Sequence, residues 1–100
     1  MMNLFEKLYD EHENVKSRFV GFTTEETRYD FGIVYTNLFF GKPLVVCMQT
    51  GRSTLLDPND LENTEYLKKA FNMENYQQAE DLSEFFKESL PGVYFETQYE

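Results

Sequence analysis

Apolar side chains at every second position from Tyr29 to Tyr35, within residues 28–36, give the strongest strand signal in this chain. Alternation with a period of two is typical of a β-strand that buries one face. The segment Val15–Thr24 is also rich in strand formers, and only the short polar linker Thr23–Thr27 separates the two. We therefore predict a β-hairpin. In its second strand, four residues share one face: Tyr29, Phe31, Ile33 and Tyr35.

Further strand signals continue as far as residue 56. Leu44–Thr50 is apolar on both faces, which favours a central strand covered on each side. Gly41-Lys42-Pro43 before it and Gly51-Arg52 after it predict turns, so that Ser53–Leu56 can return as a fourth strand. Residues 15–56 thus predict an antiparallel sheet of three to four strands.

Helical signals replace the strand signals at Asp57. Asp57 suits an N-cap and Pro58 suits the first helical position. A first helical segment follows as far as Phe71. The longest amphipathic pattern covers Tyr76–Leu90, and Pro91-Gly92 ends it.

The two ends of the chain carry weaker patterns. Apolar residues recur at helical spacing within 1–13, from residue 3 onward, which predicts a short N-terminal helix, with a frayed tail as the alternative. Residues 91–100 contain strand formers and allow either an edge strand or a tail. The fold class is α+β: residues 1–100 form a single domain, with C-terminal helices over 57–90 packed on one face of the antiparallel sheet.

Aromatic residues are unusually abundant for a domain of this size. The 100 residues include ten Phe and seven Tyr. Each aromatic side chain can bury about 150–250 Å², more in total than a small domain encloses easily. Some of these rings are therefore expected to face a partner, which favours a homo-oligomer, in the simplest case a homodimer.

Charge is distributed unevenly along the chain. The net charge is −9, but residues 14–56 carry a net +2 and residues 57–100 a net −8. The acidic total argues against nucleic-acid binding and against docking on anionic membranes. The one cysteine cannot form an internal disulfide, and the N-terminus shows no signal-peptide pattern, so we expect a cytoplasmic protein.

The most site-like stretch is the predicted turn at residues 50–54. Gly51 allows unusual backbone angles, so successive amides could converge into a nest for an anion. Arg52 could clamp a phosphate or carboxylate, and Ser53 and Thr54 could add hydroxyl donors. The alternative is an ordinary β-turn with an exposed arginine.

The three arginines of the chain all lie within the predicted sheet region. Arg18 and Arg28 fall on neighbouring strands and could form a basic patch with Arg52 that contacts an anion or a protein partner. The alternative is that each pairs with an acidic side chain of the helices.

No catalytic group, metal site or cofactor is predicted. Cys47 lies within an apolar strand, where burial blunts thiol reactivity, and the chain has only one histidine, His12. A lone histidine beside acidic residues lacks the spaced second ligand that a zinc site needs.

The segments Phe19–Thr24, Thr27–Thr36 and Gly41–Asp57 together resemble a family of small cytosolic proteins from low-GC Gram-positive bacteria, catalogued as a domain of unknown function. The resemblance extends over about residues 2–91. It implies a bacterial cytoplasmic protein, and it assigns no activity and no functional residues.

The sequence as a whole favours a non-enzymatic binding or regulatory module that acts through protein–protein contacts. Its predicted working surface is the sheet edge and the turn, with six residues: Arg18, Arg28, Gly51, Arg52, Ser53 and Thr54. The alternative is a sensor or enzyme for a small phosphate- or carboxylate-bearing ligand that uses the Gly51–Thr54 turn.

Overall fold

The computed structural model describes residues 4–25 and 27–89, and these form a four-stranded antiparallel sheet with helices on one face. The strands are neighbours in chain order: β1 (Lys16–Thr23), β2 (Arg28–Tyr35), β3 (Leu44–Cys47) and β4 (Ser53–Leu55). Two α-helices follow, α1 (Thr64–Ala70) and α2 (Tyr76–Ser89), and two 3₁₀ turns cover Phe39–Gly41 and Pro58–Glu62. The predicted α+β class, with the C-terminal helices packed on one face of an antiparallel sheet, is confirmed.

The core lies between the helices and the alternating face predicted for β2. Tyr29, Phe31 and Ile33 are buried there. Phe31 lies at the centre, with its ring centroid 5.1 Å from that of Phe86 and 5.5 Å from that of Phe71, both edge-on. Edge-to-face rings add roughly 0.5–1.5 kcal/mol beyond the area that they bury. The aromatic residues of the sheet and helices therefore form one continuous core.

Helix starts follow the capping residues in the sequence. The Asp57 carboxylate accepts hydrogen bonds from the backbone amides of Asn59 and Asp60, and the Asp60 carboxylate accepts one from the amide of Asp57. This reciprocal pair satisfies donors that a helix start leaves free. The turn that it starts is 3₁₀, and Asn63 then caps α1 through the amide of Tyr66.

Two predictions are wrong. Residues 4–13, the described part of the predicted N-terminal helix, adopt no helix and are exposed. A helix of this length is marginal in water unless its apolar face packs on something, and here it does not. The strand predicted over Leu44–Thr50 ends at Cys47, where the amide of Gly51 donates to the Cys47 carbonyl and closes a turn.

The same strand was also expected to be covered on both faces, and only its inner face is. Val45 and Cys47 are buried toward the helices, whereas Leu44 and Val46 are half-buried on the other face. The two possibilities considered for residues 91–100 lie outside the described residues.

Candidate functional site

The face of the sheet that points away from the helices is apolar at its centre. Strand register aligns Phe19 of β1, Gly32 of β2 and Val46 of β3 in one row across this face. A second row on the same face aligns Val34 of β2, Leu44 of β3 and Leu55 of β4. We call this surface the open face. Its apolar side chains are Phe19, Val34, Leu44, Val46, Met48 and Leu55.

Two exposed side chains lean over the glycine at the centre of the open face. A Cβ atom placed on Gly32 would lie 3.0 Å from the Met48 Cε and 3.3 Å from the ring of Phe19. Gly32 is buried by this cover, yet Phe19 remains 74% exposed and Met48 51% exposed. Full burial of such a side chain stabilises a contact by about 1.5–3 kcal/mol. The open face can therefore contribute appreciable binding free energy.

One edge of the open face carries a polar cluster around Asp30. The Nε and Nη2 atoms of Arg28 donate to the Asp30 carboxylate at 3.0 and 3.2 Å, and Gln49 Nε2 donates to it at 2.7 Å. The hydrogen bond with Arg28, followed by that with Gln49, lowers the pKa of Asp30. The Gln49 side chain also accepts from the Asp30 amide, so the cluster ties the β3–β4 turn to β2.

The three arginines do not form the single patch that the sequence suggested. Arg18 lies on the inner face, opposite Ile33, and its guanidinium donates to the carbonyl of Ser89 at the end of α2. The Arg18 guanidinium complements the negative end of the α2 dipole and donates to a carbonyl at the C-terminal end of the helix. Arg28 lies on the open face and pairs with Asp30. Anion or partner binding by these residues stays a prediction.

In the Gly51–Thr54 turn, the amides that could have formed an anion nest are already hydrogen-bonded within the protein. Gly51 has φ +73°, but its amide donates to the Cys47 carbonyl at 2.8 Å, and the Arg52 amide donates to Thr50 Oγ1 at 3.3 Å. The Thr54 hydroxyl bonds to that of Tyr66 on the inner face. The side chains of Arg52 and Ser53 remain at the surface, and in the described part of the chain no carboxylate lies within 4.0 Å of the Arg52 guanidinium.

A second apolar surface lies at the opposite end of the sheet, in the loop between β2 and β3. Phe39 and Phe40 have φ of 54° and 63°, and Phe40 is almost entirely exposed. The left-handed region costs a bulky L-residue roughly 1–2 kcal/mol. A shallow cleft of about 300 Å³ separates this loop from the chain before β1, and its lining includes Tyr9, Leu38 and Phe39.

Residues 4–12 form an N-terminal arm without helix or strand, and its apolar side chains contact little. Leu4, Phe5, Leu8 and Tyr9 are all exposed. The arm is fixed at its base, where the Glu13 carboxylate accepts hydrogen bonds from the Thr36 hydroxyl and the Asn37 amide, the latter at 2.7 Å. These two bonds, the first being the stronger cause, lower the pKa of Glu13.

A comparison with protein families decides what the chain is related to. A family model matches residues 8–88, which include the base of the arm, the whole sheet and nearly all of α2. The chain belongs to the SAV0927-like family. This is a small family of uncharacterised proteins, in agreement with the uncharacterised family that the sequence resembled. No curated protein matches the chain.

Membership of the SAV0927-like family assigns no chemistry. Cys47 is fully buried, and residues 4–25 and 27–89 contain no group of three metal-ligating side chains. In the same residues no helix has the length and apolar character needed to cross a membrane.

Sequence reasoning missed the open face and the arm as surfaces. The available signal was the excess of aromatic residues, which indicated a partner but not the rings that would meet it. Phe19 alternates correctly in β1, yet only the position of the helices decides which face of the sheet is uncovered.

Proposed function

We propose that this protein is a non-enzymatic binding or regulatory module that acts through protein–protein contacts, as a homodimer, in the cytoplasm of a Gram-positive bacterium. The observation that carries the proposal is the open face, with Phe19 and Met48 exposed around a buried glycine. Apolar surface that the described residues leave uncovered is typical of a site for a partner.

The distribution of charge also favours the open face, and not the helical side, as the binding surface. Residues 57–89 carry nine acidic side chains and three lysines, so the helical side bears a net −6. The centre of the open face is uncharged, and the Arg28–Asp30 pair at its edge is neutral overall. A protein of similar acidity can approach the open face without the repulsion that it would meet at the helices.

A substitution on the open face tests the proposal. Phe19→Thr removes the exposed ring and keeps a good strand former, so the fold should persist with a near-normal thermal midpoint. Tagged wild-type protein, expressed in a Gram-positive host and cross-linked in the cell, should yield a discrete complex that Phe19→Thr loses.

Tyr76→Thr, at an exposed position on α2, serves as the matched control and should retain the complex. Equal cross-linking in all three proteins would show that the open face is not the working surface, and the proposal would fail.

The second candidate function is a sensor for a small phosphate- or carboxylate-bearing ligand at the Gly51–Thr54 turn. The favouring observation is the exposed Arg52 side chain beside the hydroxyl of Ser53. A thermal-shift series with inorganic phosphate and phosphorylated metabolites tests it, because a bound ligand raises the midpoint by mass action. Selective stabilisation that Arg52→Ala abolishes would support the sensor, and a flat series would reject it.

A further inference from the structure

We infer that the N-terminal arm of one copy covers the open face of a second copy, so that two chains exchange their arms reciprocally. This inference rests on the proposed function and names both the partner and the segment that makes the contact. The occupant of the open face is thus a second copy of this chain.

The first observation is that, among the described residues, the arm and the open face both carry apolar side chains that remain uncovered. Leu4 is 92% exposed and Leu8 86% exposed, while Phe19 on the open face is also largely exposed. Tyr9 and Glu11 line the cleft beside the β2–β3 loop, so the arm follows that loop and does not cover its own open face. Two unsatisfied apolar surfaces on one chain can cover each other when two copies meet.

The second observation is a match of length. Nine residues precede the Glu13 anchor in the described arm, and an extended chain of that length reaches roughly 30 Å. The eight residues of β1 make the open face about 26 Å long. A partner's arm can therefore cross the face from one end to the other.

The third observation concerns area. With a strand spacing of about 4.8 Å, four strands give the open face a footprint of at most roughly 500 Å². A standard stable interface buries about 800 Å² on each partner, so the sheet alone falls short. Phe5 and Tyr9 of the arm can add roughly 300 Å² or more, which brings the contact to the size that a stable dimer needs.

The fourth observation concerns the charge of the arm and of the two sides of the molecule. The arm contains Glu6, Asp10 and Glu11 against a single Lys7, a net of −2. The open face is uncharged at its centre and carries the neutral Arg28–Asp30 pair at its edge, whereas the helical side is acidic. The acidic arm is therefore repelled by the helical side and meets no such repulsion at the open face.

A disulfide trap tests where the arm lies. Leu8→Cys and Met48→Cys are combined in a Cys47→Ser background, and an added oxidant closes any pair of thiols that meet. We expect an interchain product of about twice 11.9 kDa on a non-reducing gel. A matched protein with Leu8→Cys and Tyr76→Cys should give no such product. An intrachain disulfide, or equal products from both proteins, would overturn the inference.

A sedimentation-equilibrium series separates this inference from the proposed function. Wild type should be a dimer, and the triple variant Leu4→Ser, Phe5→Ser, Leu8→Ser should dimerise at least about tenfold more weakly, since it loses three apolar contacts. Lys7→Ala, in the same segment, should match wild type.

Other outcomes of these experiments distinguish failure of the arm exchange from failure of the proposed function. A wild-type dimer that Phe19→Thr weakens and the triple variant does not would overturn the arm and leave the open face as the contact surface. A monomeric wild type would overturn the exchange and the proposed homodimer, while cross-linking to another protein in the cell would still sustain a module that acts through protein–protein contacts. Failure of Phe19→Thr to alter either measurement would remove the proposed function itself.

Discussion

Gly32 decides what the open face presents to a partner. Because it has no side chain, the Phe19 ring and the Met48 thioether lie over the β2 backbone instead of standing apart. The result is a continuous apolar surface with a flexible methionine at its edge, and methionine adapts readily to irregular partner surfaces. Gly21, on the same face, differs because the Asp30 carboxylate occupies the space beside it, 2.7 Å from where a Cβ atom would lie.

At the polar edge of this face, Asp30 is expected to make stability depend on pH. Its pKa is lowered in the folded protein by Arg28 and then by Gln49, so the ionised form is the one that stabilises the fold. This contribution is present above the unfolded-state pKa of about 3.9 and is lost as the pH falls through the lower folded-state value. Asp30→Asn should therefore be less stable than wild type at pH 7, with a difference that shrinks below about pH 4.

Urea denaturation at a series of pH values from neutral to acid would measure this difference. A gap between Asp30→Asn and wild type that stays constant across the series would show that the carboxylate charge contributes nothing. Arg28→Met should reproduce the loss at pH 7, because it removes the first of the two causes.

The elements of the fold are joined by a small number of specific polar contacts. Glu13 holds the arm to the end of β2, Gln49 holds the β3–β4 turn to β2, and Arg18 joins β1 to the end of α2. The β2–β3 loop departs from this pattern, since Phe39 and Phe40 adopt left-handed backbone angles and point to solvent. Its position next to the arm places a second aromatic surface beside the segment that we infer to be exchanged.

One of these contacts predicts a measurable loss of stability. The Ser83 hydroxyl of α2 donates to the carbonyl of Leu61 in the 3₁₀ turn, and both residues are buried. Ser83→Ala leaves that carbonyl without its partner, which costs about 1–3 kcal/mol of unfolding free energy.

Chemical denaturation of Ser83→Ala beside Ser53→Ala provides the comparison. Ser53 is exposed on β4, and its substitution should change stability by less than about 0.5 kcal/mol. Equal values for the two variants would contradict a structural role for the Ser83 hydroxyl.

The two sides of the molecule differ in charge and polarity. The helical side is acidic, the sheet side is apolar with a neutral edge, and an aromatic core lies between them. Such a division gives the domain one surface that repels acidic proteins and one that can bind them.

The same core sets the stability of the whole domain. Phe86 is fully buried against Phe31 and Phe71, so Phe86→Ala should cost about 3–5 kcal/mol. That loss is a large part of the roughly 5–15 kcal/mol expected for a domain of this size. Phe85→Ala, at the half-buried neighbouring position, should cost clearly less.

Urea unfolding followed by tyrosine fluorescence would rank the two variants. A larger loss for Phe85→Ala than for Phe86→Ala would mean that the core is centred elsewhere. An unchanged dependence on urea concentration would show that both variants unfold from the same compact state.

Much of the fold could be predicted because its signals are local. The alternation in β2, the cap at Asp57 and the amphipathic stripe of α2 each depend on a few neighbouring residues, and each lies where the pattern indicated. The N-terminal helix failed for a related reason, since its apolar spacing is real but nothing in the described fold covers it. A local sequence pattern indicates a helix or strand, but a short helix forms only where its apolar face packs against the rest of the fold.

The sequence alone determined the class of fold, the residues that share each face of β2 and the surplus of aromatic rings, because these follow from residue period and composition. Only the tertiary structure decided that Arg18 is engaged at a helix end, that the amides of the Gly51 turn are already bonded, and that Phe19 and Met48 lie on an uncovered face. Those facts depend on which side of the sheet the helices take, and that choice is made by contacts between residues far apart in the chain.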